Sequence, residues 1–313
     1  ICEDVTMARI VVVGSANVDL VVQAPHIPRP GETVLGRDFV MALGGKGANQ
    51  AVGVARLGAE VVFLARVGKD SFGDQCLEGY AREGINTSYI SLDPEEATGV
   101  ALIVVANDGE NSIAVASGAN MRLTPELIAD ASEAFEGADG VLLQLEIPIE
   151  TVVEAARIGR KHGIPVVLNP APAQPLQPEL LNLVDVLTPN RIELAQLLGV
   201  SENEVMAMDD ERLAKHALGL GVPSVVITLG KEGALAAGSW GWTRVPSFAV
   251  ETVDTTAAGD AFNAGLAVAL GRGGSNLPEA TRYACACGAL ATTKFGAQPS
   301  LPYEEAVQHL LAR

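Results

Sequence analysis

The stretch "GVLLQLEIPIETVVEAARIGRKHGIPVVLNPAPA" (residues 140–173) holds two short apolar runs separated by an amphipathic segment. The runs "GVLLQLE" (140–146) and "IPVVLN" (164–169) have the length of strands, whereas "ETVVEAARIGRKHG" between them has helical periodicity. Continuous apolar strands separated by helices are typical of a parallel sheet that is covered on both faces. This unit therefore predicts an α/β fold.

The same alternation recurs along the chain, in "RIVVVG" (9–14), "VVFLAR" (61–66), "VDVLTPN" (184–190) and "SVVITLG" (224–230). We predict a mostly parallel central sheet with helices on both faces. Ligands gather at the carboxyl ends of strands in such sheets, which is where "NPAPA", "TPN" and "TLGKEG" follow their runs. No internal repeat, low-complexity tract or long linker interrupts the pattern, so we expect a single domain over residues 1–313.

Two segments, at about 17–43 and 96–118, break the alternation because strand-like runs follow one another without a helix between them. The second segment contains "NDGEN", a strong hairpin turn signal. Consecutive strands of this kind cannot easily join a parallel sheet, so they predict a small antiparallel flap, or lid, over the main sheet. An exposed apolar face on such a flap favours pairing of two copies into a homodimer.

Composition excludes some partners. The chain of 313 residues is 48% hydrophobic and carries a formal charge of −17, which argues against nucleic acid because phosphate backbones need clustered Lys and Arg. A small phosphorylated ligand stays possible, since backbone N–H groups can bind it locally. No apolar run is long enough to span a membrane, and the start "ICEDVT" (1–6) is acidic, with Met7 resembling a natural start. We expect a soluble, cytoplasmic protein without a membrane partner.

The four cysteines, Cys2, Cys76, Cys285 and Cys287, include no C-x-x-C pair, and the four histidines are scattered. We therefore expect neither a zinc site nor a disulfide framework. The small residues of "RYACACGALATT" around the last two cysteines are sufficiently explained by close helix packing.

The segment "VDTTAAGDAF" (253–262) places Asp254 and Asp260 around a row of small residues, just before an apolar run of helical period. Small side chains let a ligand approach the backbone closely, and the start of a helix presents unpaired N–H groups. The segment predicts an anion pocket, and a carboxylate beside a phosphate site suggests proton abstraction from an attacking hydroxyl. The alternative is that Asp260 is simply a helix N-cap.

The segment "LGGKGANQAVGVARLG" (43–58) is a Gly-rich start of an amphipathic helix. It does not match a P-loop, which excludes that motif, and no G-x-G-x-x-G follows a strand, which argues against a dinucleotide-binding site. Gly44 and Gly45 would let a polar ligand reach the backbone beside Asn49. The alternative is a tight turn before a helix.

Polar side chains also stand where strands end. Asn17 and Asp19 are two residues apart and so face the same way on an extended segment, although ordinary surface polarity would explain them too. Glu146 and Asn190 each end an apolar run, and Glu193 lies three residues after Asn190. Such groups over a crevice suit a ligand or Mg²⁺-bound water.

Nine motifs in order resemble the phosphofructokinase-B family of carbohydrate kinases, and within it the ribokinase branch: "GSANVD", "GGKGANQAV", "TGVALI", "QLEIP", "NPAPA", "TPNRIE", "TLGKEG", "DTTAAGDAFN" and "GAQPS". They cover nearly the whole chain, and Ala257 stands where many relatives carry Gly. The resemblance implies an ATP-dependent kinase that transfers the γ-phosphoryl group to the 5-hydroxyl of D-ribose. A deoxyribose or nucleoside kinase of the same family, or a non-catalytic sugar-binding regulator, is the alternative.

The resemblance also implies roles for particular residues. Asp260 would be the catalytic base, and the amides around Ala257, Ala258 and Gly259 would form an anion hole. The sugar would be bound by Asn17, Asp19, Gly45, Lys46, Asn49, Ala101, Ile113, Glu146 and Asp260. ATP would be bound by Asn190, Thr228, Leu229, Gly230, Lys231, Glu232, Gly233, Gly259, Asp260 and Cys285, the last standing where relatives often carry a polar residue near adenine.

Two metal ions are implied as well. Glu193 would hold Mg²⁺, through water. A monovalent cation, K⁺, would be bound mostly through carbonyl oxygens by Asp254, Thr256, Ala291, Lys294, Gly296 and Ser300.

Overall fold

The computed structural model describes residues 7–313; residues 1–6, with Cys2 and the acidic start, lie outside the described part. The strands are β1 (Arg9–Val13), β2 (Asn17–Ala24), β3 (Phe39–Gly44), β4 (Glu60–Gly68), β5 (Ile90–Asp93), β6 (Gly99–Ala106), β7 (Asn111–Ala116), β8 (Gly140–Leu143), β9 (Val166–Leu168), β10 (Val186–Leu187), β11 (Ser224–Thr228), β12 (Ala234–Gly238) and β13 (Gly241–Val245). The α-helices are α1 (Lys46–Arg56), α2 (Ser71–Arg82), α3 (Pro125–Asp130), α4 (Ile149–Lys161), α5 (Pro178–Leu181), α6 (Arg191–Leu198), α7 (Glu202–Met206), α8 (Asp210–Leu218), α9 (Ala258–Gly271), α10 (Leu277–Ala291) and α11 (Glu304–Leu311).

Nine strands form the central sheet, in the order β13-β12-β11-β10-β9-β8-β1-β4-β5. All neighbouring pairs from β11 to β5 are parallel, which confirms the predicted mostly parallel sheet. The strand β12 is antiparallel to both of its neighbours. The connection from β11 to β12 is too short for the crossover that a parallel strand needs, so the chain turns back as a hairpin.

Four strands form the flap, in the order β3-β2-β6-β7. The two outer pairs, β2 with β3 and β6 with β7, are antiparallel, as expected. The central pair is parallel and runs from Asn17 opposite Gly99 to Ala24 opposite Ala106. The two excursions of the chain that form the flap therefore meet side by side in the same direction, which the hairpin signal alone could not reveal.

Apolar layers lie on both faces of the central sheet. In β1, Ile10 and Val12 are buried in one layer together with residues of α1, α9 and α10. Val11 and Val13 are buried in the opposite layer, with residues of α4 and α8. The alternation follows from the two-residue period of a strand and confirms helices on both faces.

Glycines let α1 approach its neighbours closely. A Cβ atom on Gly47 would lie 2.5 Å from the carbonyl carbon of Gly14 and from the nitrogen of Ser15, so the start of α1 rests directly on the backbone that follows β1. On the other side, a Cβ atom on Gly53 would lie 2.8 Å from the Cβ of Ala264 in α9. These contacts hold α1 close to the backbone after β1 and to α9.

No helix among residues 7–313 is long and apolar enough to cross a lipid bilayer.

Candidate active site

The loop before α9 has a strained backbone. Ala257 has φ 57° and ψ 11°, and among residues 7–313 no other non-glycine residue has a positive φ. This left-handed conformation costs roughly 1–2 kcal/mol in an L-residue. Such strain concentrates at functional sites, and the first turn of a helix has N–H groups without partners inside the helix. The N–H of Ala258 donates to the carbonyl oxygen of Thr255 at 3.2 Å.

The side chain of Asp260 does not cap α9. The N-cap position is Ala257, without a side-chain hydrogen bond, whereas Asp260 is the third residue of the helix and is only 6% exposed. The capping interpretation of Asp260 is therefore wrong. Its carboxylate instead accepts hydrogen bonds from Asn49 Nδ2 at 2.9 Å and from Gln50 Nε2 at 3.0 Å.

Burial raises the pKa of Asp260 above that of an ordinary aspartate, although the ammonium group of Lys46 and the amides of Asn49 and Gln50 favour the charged form and counteract it. A buried carboxylate whose pKa lies above the ordinary range is a better proton acceptor than an exposed one. The arrangement suits a general base.

A second carboxylate, that of Glu146 after β8, forms hydrogen bonds to the residues after β1 and at the start of α1. Its Oε2 accepts hydrogen bonds from Ser15 Oγ at 2.6 Å and from the backbone nitrogen of Lys46 at 2.9 Å. The side chain of Lys46 is largely buried, which lowers its pKa, but the carboxylates of Asp260, Glu146 and Glu193 raise it more, so its pKa lies above the ordinary value. Lys46 is thus held as a cation.

The polar face of β2 carries Asn17 and Asp19. Asn17 Oδ1 accepts a hydrogen bond from Asn120 Nδ2 at 2.7 Å. Burial, with repulsion from Glu146 and Asp260, raises the pKa of Asp19 to about 6. The structure thus brings the predicted sugar-binding carboxylates, Asp19 and Glu146, into electrostatic contact with Asp260.

Other predicted sugar contacts lie around this face. Gly45 is the N-cap of α1 and has φ 87°. A Cβ atom on Gly45 would lie 2.9 Å from the backbone nitrogen of Asn17. In the flap, Ala101 is paired with Asp19 and is buried, whereas Ile113 lies farther along β7 and is 54% exposed. Asn49 Oδ1 is buried without a hydrogen-bond partner, so it is available to a ligand hydroxyl.

Residues 254–260, before and at the start of α9, are called the anion loop below. A cavity of about 600 Å³ lies beside this loop, with Thr255, Ala258 and Gly259 in its lining. Six of the predicted nucleotide contacts line it: Thr228, Gly230, Lys231, Gly233, Gly259 and Cys285. Ala258, predicted as part of the anion hole, also lines it. Residues that sequence reasoning missed complete the lining: Ser247, Phe248, Ala249, Val250, Thr252, Thr255, Phe262, Gly288, Ala289 and Thr292. Most of the 247–255 stretch is irregular in structure and therefore carried no periodic signal.

Four predicted nucleotide residues do not line this cavity: Asn190, Leu229, Glu232 and Asp260. Leu229 is buried beneath the loop. Glu232 pairs with the guanidinium groups of Arg191 and Arg244. Cys285 does line the cavity, and burial raises the pKa of its thiol to about 12.

A smaller cavity of about 240 Å³, called the connecting cavity below, is lined both by predicted sugar-binding residues and by residues of the larger cavity. Its lining is Lys46, Asn169, Ala171, Thr188, Asn190, Glu193, Thr228, Thr255, Ala257, Gly259, Asp260 and Asn263. Thr228, Thr255 and Gly259 line both this cavity and the larger one. The face that carries Asn17, Asp19 and Glu146 is called the sugar face below. A group passing from the larger cavity to the sugar face would therefore pass Asp260.

Asn190 and Glu193 hold each other in a capping box at the start of α6. The backbone nitrogen of Glu193 donates to Asn190 Oδ1 at 2.8 Å, and the nitrogen of Asn190 donates to Glu193 Oε2 at 2.8 Å. Burial raises the pKa of Glu193, against the hydrogen bond from Asn190. Oε2 of Glu193 accepts the hydrogen bond of the capping box, whereas Oε1 takes no part in the box.

Asp254 ties the anion loop to a distant turn. Its Oδ1 accepts hydrogen bonds from Thr256 N at 2.9 Å and Thr256 Oγ1 at 2.7 Å, and its Oδ2 accepts from Gly296 N at 2.8 Å. Although burial raises the pKa of Asp254, these hydrogen bonds lower it overall. Of the residues predicted to bind a monovalent cation, the structure brings these three into direct contact.

The other predicted cation ligands lie nearby in the chain. Ala291 ends α10, Lys294 follows it, and Ser300 Oγ donates to the carbonyl oxygen of Ala297 at 2.8 Å. Among residues 7–313, no three His, Cys, Asp or Glu side chains cluster as a metal site. A cation here would therefore depend on backbone carbonyls and single carboxylates.

Sequence reasoning missed a set of buried polar side chains around Asp260: Ser15, Gln50, Gln144, Asn169, Thr188 and Asn263. One signal was present, since Gln144 stands as an uncharged polar residue inside the apolar run "VLLQLE". Buried polar groups need partners, so such a residue points to an internal network.

Comparison with known proteins agrees with this geometry. Residues 7–304 match the model of the pfkB family carbohydrate kinases. A ribokinase of Haemophilus influenzae is 43% identical over 295 residues, covering 93% of this chain and 94% of that protein. A deoxyribokinase of Salmonella typhi is 38% identical over 305 residues, covering 97% and 98%.

Among solved structures, an Arabidopsis thaliana ribokinase complexed with ribose and ATP superposes with a TM-score of 0.88 at 35% identity, covering 98% of this chain and 100% of that one. The fold and the sequence similarity thus agree with one group of enzymes. The chain belongs to the pfkB family of carbohydrate kinases and is an ATP-dependent sugar kinase.

Proposed function

We propose that the protein transfers the γ-phosphoryl group of ATP to the 5-hydroxyl of D-ribose, giving D-ribose 5-phosphate and ADP. One observation carries the proposal: the buried carboxylate of Asp260 lies between a polar, carboxylate-bearing face and the cavity beside the anion loop. In this proposal the whole chain is one kinase domain, with the flap as its lid.

The sugar face is suited to a small neutral polyol. Asp19 and Glu146 supply hydrogen-bond acceptors, and Asn17 and Asn49 add amide groups. Carboxylates bind sugar hydroxyls through charge-assisted hydrogen bonds, whereas an anionic substrate would be repelled by them. Gly45, Lys46, Ala101 and Ile113 complete the predicted sugar-binding set.

Asp260 is positioned to take the proton of the attacking hydroxyl. Removal of this proton makes the oxygen a better nucleophile toward the γ-phosphorus, and the carboxylate stores the proton until product leaves. The N–H groups at 257–260 stabilise the charge that develops on the transferred phosphoryl group, and the Lys46 cation lies at the same cavity.

The donor set also fits Mg²⁺. Glu193 has one carboxylate oxygen outside its capping box and lines the connecting cavity, and oxygen ligands with water suit this ion. Bound there, Mg²⁺ would neutralise phosphate charge.

The anion loop, which Asp254 connects to the turn at Gly296, has oxygen atoms that suit K⁺. Oδ2 of Asp254 accepts only one hydrogen bond, and the adjacent turn supplies carbonyl oxygens. Bound there, K⁺ would stiffen the anion loop, together with Thr256, Ala291, Lys294, Gly296 and Ser300.

A deoxyribose kinase is the second candidate, because the Salmonella deoxyribokinase is nearly as similar to this chain as the ribokinases are. An assay of ADP formation with ribose, 2-deoxyribose, fructose and nucleosides separates the candidates. We expect the highest kcat/KM with ribose. A higher value with 2-deoxyribose would establish the second candidate, and no ADP formation with any sugar would identify a non-catalytic binding protein.

Asp260→Asn tests the base. The substitution keeps the size and shape of the side chain, but it replaces one acceptor oxygen by an NH₂ group and cannot accept the proton, so kcat should fall roughly 10²- to 10⁴-fold. Circular dichroism and ribose binding should stay close to those of the unmodified protein. Near-normal turnover would mean that Asp260 is not the base.

Asp19→Asn tests the role of Asp19 in sugar binding and, separately, its effect on the stability of the folded protein. With ribose, kcat/KM should fall roughly 10- to 100-fold because a charged acceptor is lost. Folding raises the pKa of Asp19 from 3.8 to about 6, so ionised Asp19 disfavours the folded state at neutral pH. The variant should therefore be more stable at pH 8, on the order of 2 kcal/mol, an advantage that disappears as the pH falls toward the unfolded pKa.

Urea unfolding at several pH values measures this difference, and Asp130→Asn at the exposed end of α3 is the control. An Asp19→Asn variant that is less stable than the unmodified protein at pH 8 would refute the electrostatic account of Asp19.

Replacing Na⁺ by K⁺ at constant ionic strength should raise kcat, since a cation that stiffens the loop aims its N–H groups before the phosphoryl group arrives. Asp254→Ala should abolish the difference between the two salts, and Asp130→Ala should preserve it. Equal rates of the unmodified protein in both salts would remove the cation site from the proposal.

We also propose that two copies pair through the flap. Apolar side chains on the flap are exposed, among them Leu102 at 55% and Val115 at 56%. Exposed apolar clusters on a small sheet are typical of interfaces. Sedimentation equilibrium should give a mass of about twice the 32.4 kDa of one chain, whereas a single-chain mass at every concentration would contradict the dimer.

We place the enzyme in the cytoplasm. The three described cysteines, Cys76, Cys285 and Cys287, are free thiols, as is usual in a reducing compartment. Cell fractionation with an antibody would test this location, and recovery in an extracellular fraction would contradict it.

A further inference from the structure

We propose that Gln50 is a positioning residue that holds the Asp260 carboxylate in the direction required for proton abstraction, with Gln144 fixing Gln50 in turn. The inference rests on the proposed function, since it requires Asp260 to be the base. It concerns residues on α1 and after β8 that do not line the connecting cavity.

Three fully or nearly fully buried side chains form the chain of contacts. Gln144 Nε2 donates to Gln50 Oε1 at 2.6 Å, and Gln50 Nε2 donates to Asp260 Oδ1 at 3.0 Å. Gln50 and Gln144 have no exposed surface, and Asp260 is 6% exposed. Asn49 holds the other carboxylate oxygen, so the two amides fix both oxygens of the base.

The direction of these hydrogen bonds is set by the charge of Asp260. An ionised carboxylate only accepts hydrogen bonds, so Gln50 must turn its NH₂ group toward Asp260 and its oxygen toward Gln144. Gln144 must then turn its own NH₂ group toward Gln50. The orientation of both glutamines therefore follows from an ionised base.

This orientation of the two glutamines has an energetic cost. With its NH₂ group on Gln50, Gln144 leaves its Oε1 buried without a partner. A Cβ atom on Gly14 would lie 2.0 Å from this oxygen, so the glycine leaves room for the side chain. A buried, unpaired carbonyl destabilises the fold, which argues that the contact serves the site and not stability alone.

The same amide of Gln50 also connects the base to the anion loop. Gln50 Nε2 donates to Asn169 Oδ1 at 3.2 Å, and Asn169 Nδ2 donates to the carbonyl oxygen of Thr188 at 3.2 Å. Thr188 Oγ1 donates to Asn263 Oδ1 at 2.6 Å, and Asn263 Nδ2 donates to the carbonyl oxygen of Gly259 at 2.8 Å. The base and the anion loop thus share one buried network.

The charged groups that act on Asp260 come from several elements. Lys46 on α1 stabilises its ionised form, whereas Glu146 after β8, Glu193 on α6 and Asp19 on β2 repel it. The N–H of Gln50 also favours the ionised form. Removal of this donor should make Asp260 harder to ionise.

Gln50→Met tests the role, because methionine has a similar length and shape but no donor. The acidic limb of the kcat/KM profile for ribose should move to higher pH by about 1 unit, as expected for losing one hydrogen bond to a charged group. The plateau kcat should fall roughly tenfold or more as the base loses one of its two fixed contacts, with little change in KM for ATP. Gln144→Met should shift the limb in the same direction by less.

Two further variants complete the design. Gln308→Met on the exposed side of α11 is the control and should change neither the profile nor kcat. Gln50→Asn keeps an amide that is one methylene too short, so it should resemble Gln50→Met even if the methionine variant folds poorly, as judged by thermal unfolding.

The outcomes separate the two proposals. If Asp260→Asn is inactive while a folded Gln50→Met or Gln50→Asn enzyme keeps the acidic limb and plateau of the unmodified protein, the positioning role is refuted and the base stands. If Asp260→Asn remains active, the base itself is refuted, and the role of Gln50 with it.

Discussion

The contact between the Asp260 carboxylate and the side-chain amides of Asn49 and Gln50 is the constraint on which the rest of the site depends. It requires two helices far apart in sequence, α1 and α9, to begin at the same place. Gly47 makes this possible by letting α1 rest on the backbone after β1, and Gly53 lets α1 pack closely on α9. The parallel sheet then presents its carboxyl ends to the same point.

The charge balance of the site explains why amides, and not cations, hold the base. Asp19, Glu146, Glu193 and Asp260 interact with one another, and Lys46 is the cation that acts on this group. A full positive charge paired with Asp260 would lower its pKa strongly and weaken it as a proton acceptor. Neutral amides orient the carboxylate and lower its pKa less than a directly paired cation would. The same acidic surroundings favour a neutral sugar over an anionic substrate.

Much of the fold could be predicted from the sequence because its strands are buried on both faces and their apolar runs are continuous. The run from 140 to 169 was sufficient for the parallel sheet. The hairpin at β12 was missed because "ALAAG" lacks the β-branched residues of a typical strand. The parallel pairing of β2 with β6 was missed because it joins segments about 80 residues apart, and no local signal specifies such a partner.

The candidate site was predictable where residues stand in short motifs and not where they meet only in three dimensions. Asp260 and Asn49 were found from the small residues and glycines around them. Gln50 lies next to Asn49 but within a helical apolar pattern, and its partners Gln144 and Asn169 come from two other segments. The capping alternative for Asp260 could be rejected only once the start of α9 at Ala257 was known.

The ionisation state of Asp260 tests the account most directly, because a base must be charged before it can accept a proton. Its side-chain carboxyl can be titrated by ¹³C NMR in protein labelled at aspartate, with the resonance assigned by its loss in Asp260→Asn. We expect a pKa above the ordinary 3.8, raised by burial, with the carboxyl ionised at about pH 7. A carboxyl that stays protonated through neutral pH would contradict the account, since it could donate a proton but could not take one from the sugar.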